Sequence, residues 1–247
     1  MQNKKPTISV SIITFNEERI IYKTLSCVKS WADEIVVVDS FSTDETLNII
    51  KQFNVNLYTK KWEGYSEQRN YALSKCTCDW VLVIDADEIV TDSLKKEIDL
   101  ILSPNCSKNG FKIKRKFFLG NRWIKHGGYY PDYQLRLFKN NIGAHCSKRA
   151  IHESYNVPGE IRILNNPLEH YAYNDLNSYE MSLKKYAELA SKEIKNKQFY
   201  IPTLRAFWSF LYRYFFRLGL LEGELGYKLT KIYSNYVYQK YDLAKNG

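Results

Sequence analysis

The chain has 247 residues, of which 45% are hydrophobic and 26% charged. These values allow one folded core with a smaller additional region, and they exclude an intrinsically disordered protein. The net charge of +9 is uneven, because residues 1–100 carry 12 Lys/Arg and 16 Asp/Glu (net −4), whereas residues 101–247 carry 24 and 11 (net +13). This asymmetry predicts a metal-bound ligand for the first part and an anionic surface or substrate for the second. Nucleic acid is not the expected partner, since no helix-turn-helix, zinc-finger or RNP-type signature is present.

The five Cys are odd in number and no signal peptide precedes them. We therefore expect reduced thiols and a cytoplasmic protein. Cys76 and Cys78 are too close together for a zinc-binding pair and have no matching second pair. No apolar run reaches the ~18 residues that a membrane span requires.

The first hundred residues alternate between predicted strands and predicted helices. Apolar, β-branched runs predict strands at 7–14, 34–39, 55–59 and 80–84. Asn16 is expected to cap a first helix that runs through Val28. Ser42 and Glu45 are spaced as a capping box and would begin a second helix that ends near Phe53. Two further helices are expected over 66–75 and 91–102. This alternation predicts an α/β fold with a mostly parallel sheet and helices on both faces.

The pattern changes after residue 103. Strands are predicted at 110–118, 134–138 and 160–164, and helices at 176–197, 203–219 and 222–243. We therefore expect two domains. Residues 1–175 would form the α/β domain, and residues 176–247 a helical, basic, aromatic-rich C-terminal extension.

Two acidic features fall where predicted parallel strands end. Asp39 closes the second strand, and Asp85-Ala86-Asp87 closes the fourth. Carboxyl ends of parallel strands share one sheet edge, which is where such sheets bind ligands. Paired carboxylates suit Mg²⁺, which takes its remaining ligands from phosphate and water. A helix-capping turn is the alternative, but the chain has no glycine-rich phosphate loop, so a metal is the expected phosphate anchor.

Four segments resemble the family-2 glycosyltransferases of the GT-A fold, and among these the bacterial lipopolysaccharide-core β-1,4-glucosyltransferases. They are ITFNEE at 13–18, DEIVVVDSFSTD at 33–44, GYSEQRNYA at 64–72 and the stretch from Asp79-Trp80 to Asp85-Ala86-Asp87-Glu88. The likeness continues at 130–138, 151–153, 170–171 and 218–226, so it covers nearly the whole chain. It implies a GT-A-type, Rossmann-like α/β domain.

The resemblance implies an inverting transfer of a hexose, with glucose the best guess, from a UDP-sugar to a lipid-linked core oligosaccharide. The cofactor would be Mg²⁺ or Mn²⁺ on Asp85 and Asp87, with His170 as a third ligand. Asp132 is the expected general base, but Pro131 replaces the usual neighbouring acid, and Glu153 is the alternative. The implied donor contacts are Thr14, Asn16, Glu17, Asp39, Gln68, Arg69, Asn70 and Asp85.

Several of these residues have a plainer interpretation. Asp39 could accept from the N–H of a uracil ring, whereas Ser42 and Asp44 fit a turn and cap. Asp132 could instead form a salt bridge with Arg136, and Arg69 could lie on a solvated helix face. His170 could be an ordinary core or surface histidine.

The segment RAFWSFLYRYFFR at 205–217 interleaves aromatic residues with Arg. It is too charged to span a bilayer and could lie in the interface with anionic lipid. A core helix with basic ends is the alternative. The charge of the second part favours the membrane surface, so we expect a peripheral enzyme on the inner face of the bacterial inner membrane.

Two other classes of protein remain open. Haloacid-dehalogenase-like phosphatases also use a D-x-D motif, but on the first core strand, whereas this motif follows the fourth. A transferase-like domain without catalysis, serving as a membrane adaptor, would keep the same sequence patterns.

Overall fold

A computed structural model describes residues 5–140, 142–147, 154–192, 194 and 201–246. The chain forms two compact units. Unit 1 comprises residues 1–115, 133–149 and 153–170, and unit 2 comprises residues 116–132, 150–152 and 171–247. The helices predicted from residue 176 onward thus belong to unit 2, together with residues 116–132.

The described strands are β1 (Ile8–Thr14), β2 (Glu34–Asp39), β3 (Asn56–Thr59), β4 (Trp80–Asp85), β5 (Glu88–Val90), β6 (Gly110–Leu119), β7 (Arg122–Trp123), β8 (Asp132–Lys139), β9 (His145–Cys146), β10 (Tyr155–Asn156), β11 (Ile161–Ile163) and β12 (Leu168–Tyr173). The described α-helices are α1 (Ile21–Val28), α2 (Thr46–Ile50), α3 (Tyr65–Leu73), α4 (Asp92–Ile101), α5 (Leu176–Ser191), α6 (Pro202–Leu211) and α7 (Gly223–Asn246).

The main sheet has the strand order β3-β2-β1-β4-β8-β6-β12-β5, with β7 and β11 also paired to β6. The first four strands of this order are parallel, and β8 is antiparallel to β4. Thr14 lies opposite Asp39, and Ile13 lies opposite Asp85. The prediction that Asp39 and Asp85 share one sheet edge is therefore confirmed.

Unit 1 has an apolar core on each face of the parallel strands. Successive residues of β2 alternate between them, since Ile35 and Val37 belong to one core and Val36 and Val38 to the other. The first core includes apolar residues of α1, α2 and α4, and the second includes residues of α3. Strands buried on both faces need continuous apolar sequence, which explains the runs VVV and WVLVI.

Two predicted helix starts are wrong. α1 begins at Ile21 rather than after Asn16, and α2 begins at Thr46 without the predicted capping box. Asn16 adopts a positive φ of 54°, which no α-helix can include. Its backbone N–H donates to Ser42 Oγ, and its Oδ1 accepts from the N–H of Thr43, both at 2.8 Å. These side chains tie the β1–α1 and β2–α2 loops together instead of capping helices.

The strands β5 and β12 were not predicted from the sequence. These two strands pair antiparallel, with His170 opposite Glu88 and Leu168 opposite Val90. β5 has only three residues, too few to show an alternating pattern. The pairing fixes the position of His170 relative to the acidic turn after β4.

Unit 2 is built around α5 and α7. Leu119, Ile124, Leu183 and Leu229 are buried in its core. α6 packs along α7, where Ser234 Oγ donates to the carbonyl of Ala206 at 2.6 Å. The helix predicted over 203–219 ends earlier, because α6 passes into a π-helical turn at 212–216 and Leu218 then adopts a left-handed φ of 58°.

Glycines allow the backbone to cross itself between α6 and α7. A Cβ atom on Gly226 would lie 2.0 Å from the carbonyl oxygen of Gly219. A Cβ atom on Gly219 would lie 2.8 Å from the carbonyl oxygen of Arg213. Both distances are below any real carbon–oxygen contact, so only glycine fits at these two positions.

Candidate active site

Asp85, at the end of β4, is surrounded by arginines. Its Oδ1 accepts from Arg69 Nη2 at 2.7 Å, and its Oδ2 accepts from Arg136 Nη2 at 2.5 Å. Arg115 Nη1 lies 3.7 Å from the same Oδ2. Burial disfavours the ionised carboxylate, but the charges of Arg136, Arg69 and Arg115 outweigh it and hold the pKa of Asp85 well below its usual value.

Glu88 completes this ion network. It has no exposed surface, and its Oε1 accepts from Arg136 at 2.6 Å and from Arg115 at 3.1 Å. Its Oε2 accepts from the backbone N–H of Asp85 at 2.9 Å. A buried charge is tolerated only with such partners. The network therefore fixes the shape of the turn between β4 and β5.

Asp87 points to a different partner. Its Oδ2 lies 3.3 Å from His170 Nε2, and each side chain retains less than a fifth of its exposure. Burial opposes both charges, but the attraction between them lowers the pKa of Asp87 and raises that of His170. The structure thus brings together two of the three predicted metal ligands.

The pair suits a divalent cation that also binds phosphate. Mg²⁺ usually takes one or two carboxylates from the protein and the rest from phosphate and water, and an imidazole ligand favours Mn²⁺. Within the described residues, no three His, Cys, Asp or Glu side chains converge as a complete metal cage. Both oxygens of Asp85 accept from guanidinium groups, so a metal there would have to displace an arginine, whereas Asp87 and His170 would hold it directly.

Glu17, one of the predicted donor contacts, lies in the field of the acidic turn. Burial and the negative charge of Asp87 raise its pKa to about 7, and Asp44 and Asp85 add to the effect. A carboxyl group held next to other carboxylates is a site where a cation would be stabilised. Glu17 therefore extends the electronegative region around Asp87.

Asp39 and Thr14 are buried beside each other in the sheet, with 0% and 4% exposure. Asp39 Oδ2 accepts from Ser42 Oγ at 2.5 Å, and its Oδ1 accepts from the Ser42 N–H at 2.8 Å. Because the carboxylate has no exposed surface, a uracil ring could reach it only after the segment following β2 moves. The donor roles of Asp39 and Thr14 stay predictions.

The three predicted donor contacts on α3 have partners within unit 1. Arg69 binds Asp85, so the alternative of a purely solvated arginine is wrong. Asn70 exchanges two hydrogen bonds with the backbone of Cys146 on β9. Gln68 Nε2 donates to Ser40 Oγ at 2.6 Å and to the Lys60 carbonyl at 2.9 Å. Asn70 and Gln68 therefore anchor loops around the sheet edge, and their contact with a donor stays a prediction.

The two candidate bases are not tested by this geometry. Asp132 is the first residue of β8 and belongs to unit 2, and Glu153 lies outside the described residues. The alternative interpretation paired Asp132 with Arg136, two residues that lie four positions apart on β8. Four residues of extended strand span about 13 Å, and Arg136 instead donates to Asp85 and Glu88.

Sequence reasoning missed Glu88, Arg115 and Arg136 as members of this site. Glu88 directly follows Asp85-Ala86-Asp87, so its position near Asp85 could have been predicted from the sequence. The arginines lie about 30 and 50 residues later on β6 and β8, and only the antiparallel continuation of the sheet brings them to Asp85. A buried arginine inside an apolar run such as QLRLF is the available signal, because such a residue requires a carboxylate partner.

Residues 9–156 match the family model of glycosyl transferase family 2, and the chain belongs to this family. A glycosyltransferase of Rickettsia typhi is 29% identical over 235 residues, which cover 89% of this chain and 80% of that protein. The lipopolysaccharide core biosynthesis glycosyltransferase LpsC of Rhizobium meliloti is 29% identical over 167 residues, 64% of this chain and 60% of LpsC. The crystal structure of S. aureus TarS 1–349 shares 17% identity with a TM-score of 0.49, covering 94% of this chain and 80% of that chain.

Family membership and the parallel sheet edge together confirm the predicted α/β, GT-A-type fold and the assignment as a glycosyltransferase. They disfavour both the haloacid-dehalogenase-like phosphatase and the adaptor without catalysis. In the part of the chain that the structure describes, none of the helices has the length and apolarity needed to cross a membrane.

Proposed function

We propose that this glycosyltransferase moves a hexose from a UDP-sugar to a hydroxyl of a lipid-linked core oligosaccharide, with a divalent cation between the protein and the diphosphate. The observation that supports the proposal is the half-buried Asp87–His170 pair at the carboxyl edge of the parallel strands. UDP-glucose is the best first donor to test, because the sequence resembles core glucosyltransferases. The similarity to LpsC supports a lipopolysaccharide core as the acceptor.

Asp87 and His170 would hold the cation, which when bound offsets the charge that develops on the departing UDP. Asp85 would not be a ligand in this arrangement. It would instead orient Arg69 and Arg136 through its two carboxylate oxygens. Glu17 would add negative charge on the side of Asp87 and so favour a cation over a bare anion at this edge.

Asp132 or Glu153 would accept the proton of the acceptor hydroxyl during a single, inverting displacement. The two candidates are separated by replacing each carboxylate with its amide. Asp132→Asn is expected to lower kcat by orders of magnitude while UDP binding persists. If Glu153→Gln has that effect and Asp132→Asn does not, Glu153 is the base.

The test of the donor and metal is UDP release with a panel of UDP-sugars and a heptose-containing core acceptor, with and without EDTA. We expect turnover with one UDP-hexose, loss of turnover in EDTA and recovery with Mn²⁺ or Mg²⁺. Full activity in chelator would refute the cation role of Asp87 and His170. Turnover only with a donor that lacks UDP would refute the donor assignment.

A further inference from the structure

The outer side of α6 and the turn after it exposes a continuous apolar surface. We call it the docking face and define it by Leu204, Phe207, Trp208, Tyr212, Phe215 and Phe216. Leu204, Phe207 and Trp208 are each about 60% exposed, and Phe216 is 69% exposed. No residue of α6 is buried. Water normally faces the polar side of a surface helix, so this arrangement requires a partner.

The residues of the docking face form one stripe. Leu204, Trp208, Tyr212 and Phe216 are spaced four residues apart, which places them on the same side of consecutive turns. The ring centroids of Trp208 and Phe216 are 6.2 Å apart, and those of Tyr212 and Phe216 are 6.3 Å apart. The stripe is therefore one surface rather than several isolated side chains.

The opposite side of α6 already has its partner within unit 2. Ser234 Oγ donates to the Ala206 carbonyl, and the rings of Phe210 and Tyr227 meet edge to face at 5.9 Å. The Arg213 guanidinium lies 3.8 Å from the ring centroid of Tyr233. Because this inner side is occupied by α7, the docking face is the side that the described residues of unit 2 leave uncovered.

We propose that the docking face binds the surface of an anionic lipid bilayer, with α6 lying in the plane of the interface. Residues 201–221 contain three arginines and no Asp or Glu. Arg213 lies on the inner side against Tyr233, so Arg205 and Arg217 are the two arginines that make the charge near the docking face positive. The ten residues of α6 span only about 15 Å, which fits an interfacial position and not a transmembrane one. Trp and Tyr rings with an apolar body and a polar edge are the side chains that membrane interfaces favour.

A second copy of this chain is a weaker candidate for the partner. A symmetric dimer through the docking face would place the arginines of two copies close together, and like charges across an interface are unfavourable. Anionic headgroups would instead pair with these charges while the aromatic rings enter the acyl boundary. The binding does not depend on the transfer reaction, so it is testable without donor or acceptor.

The test is co-sedimentation of the full chain with phosphatidylcholine vesicles, with and without phosphatidylglycerol, at low and high salt. We expect binding only to the anionic vesicles, weaker at high salt because screening removes the charge attraction. The variant Leu204→Ser/Trp208→Ser is expected to bind about tenfold more weakly or worse, since two apolar side chains no longer enter the interface. Circular dichroism and thermal unfolding are measured alongside to establish that it is folded.

The matched control is Leu100→Ser/Trp62→Ser, which removes the same residue types from exposed positions of unit 1, 85% and 45% exposed. We expect it to bind vesicles like the unchanged protein. Absence of binding by the unchanged protein overturns the proposal, and so does an equal loss in the control. A concentration-dependent dimer that Leu204→Ser/Trp208→Ser abolishes, without vesicle binding, assigns the face to a second copy and also overturns it.

Discussion

The acidic sheet edge of unit 1 and the docking face of unit 2 differ in what they bury and what they expose. The first buries charged side chains, and the second exposes apolar ones. In unit 1, Glu88 and Arg136 are buried, and the fold supplies each with an opposite charge, since Arg136 donates to both Asp85 and Glu88. In unit 2, apolar side chains such as Trp208 are exposed, and the described part of the unit does not cover them. Buried charge with an internal partner stabilises a fixed geometry, whereas exposed apolar surface without one indicates an external partner.

The largest effect is expected from breaking the ion network of unit 1. Arg136→Leu would leave the buried carboxylate of Glu88 and the half-buried one of Asp85 without their shared guanidinium group. Removing one partner of a buried ion pair costs about 3–5 kcal/mol of unfolding free energy. Urea denaturation of the unchanged protein and of Arg136→Leu measures this difference in unfolding free energy. The control Arg162→Leu removes an exposed arginine from β11. An equal loss of unfolding free energy in this control would show that the buried ion network does not stabilise the fold more than an exposed arginine does.

The next effect concerns the cation at the same edge. Asp87→Asn should lower kcat/KM for the transfer by about 100-fold or more, because charge stabilisation at the departing diphosphate is lost. UDP release over a Mn²⁺ titration measures both the rate and the metal requirement. Asp92→Asn, on the exposed first turn of α4, is the control and should leave both unchanged. Near-normal activity of Asp87→Asn would remove this residue from the site.

A smaller effect on stability is expected at Glu17, with a size that depends on pH. Its pKa is raised from 4.5 to about 7 in the folded chain. The folded state therefore holds a proton that the unfolded state releases, and stability falls as pH rises through this window. Glu17→Gln removes this cost, so the variant should be more stable than the unchanged protein by about 2–3 kcal/mol at pH 8 and equal to it near pH 4.

Urea denaturation at the two pH values measures the Glu17 effect. Glu188→Gln, an exposed position on α5, is the control and should show no such pH dependence. Saturating Mn²⁺ should reduce the gain from Glu17→Gln, because the cation offsets the same negative field. A gain that is identical at both pH values would mean that neither burial nor the neighbouring carboxylates raise the pKa of Glu17.

The smallest effect on stability is expected in unit 2, from replacing exposed apolar residues of the docking face. Leu204→Ser/Trp208→Ser should change the unfolding free energy by less than about 0.5 kcal/mol per residue, because exposed side chains contribute little to stability. The same urea experiment used for Arg136→Leu measures it. A loss of several kcal/mol would mean that the docking face is part of the folded core.

The sheet edge was predictable from sequence because it depends on local patterns. Four apolar runs gave the parallel strands, and the position of Asp39 and Asp85 at their ends followed from the direction of a parallel sheet. The arginines around Asp85 were not predictable in the same way. They reach it through β6 and β8, whose pairing depends on contacts between distant parts of the chain.

The predicted starts of α1 and α2 were wrong for a related reason. Asn16 and Ser42 have the residue types of good helix caps, but each was free to bond the other's loop once the strands had brought the loops together. Tertiary partners then took precedence over local capping. His170 was proposed from resemblance alone, and its place opposite Glu88 depends on β5 and β12, which no local pattern indicated.

The glycine crossing between α6 and α7 has a mechanical consequence. Gly219, in the turn before α7, and Gly226, on α7, let the backbone of the turn touch the backbone of α7 with no side chain between them. The turn that links α6 to α7 is therefore packed at backbone distance against α7, and α6 itself lies along α7. A surface that captures the short helix would thereby orient the long one as well.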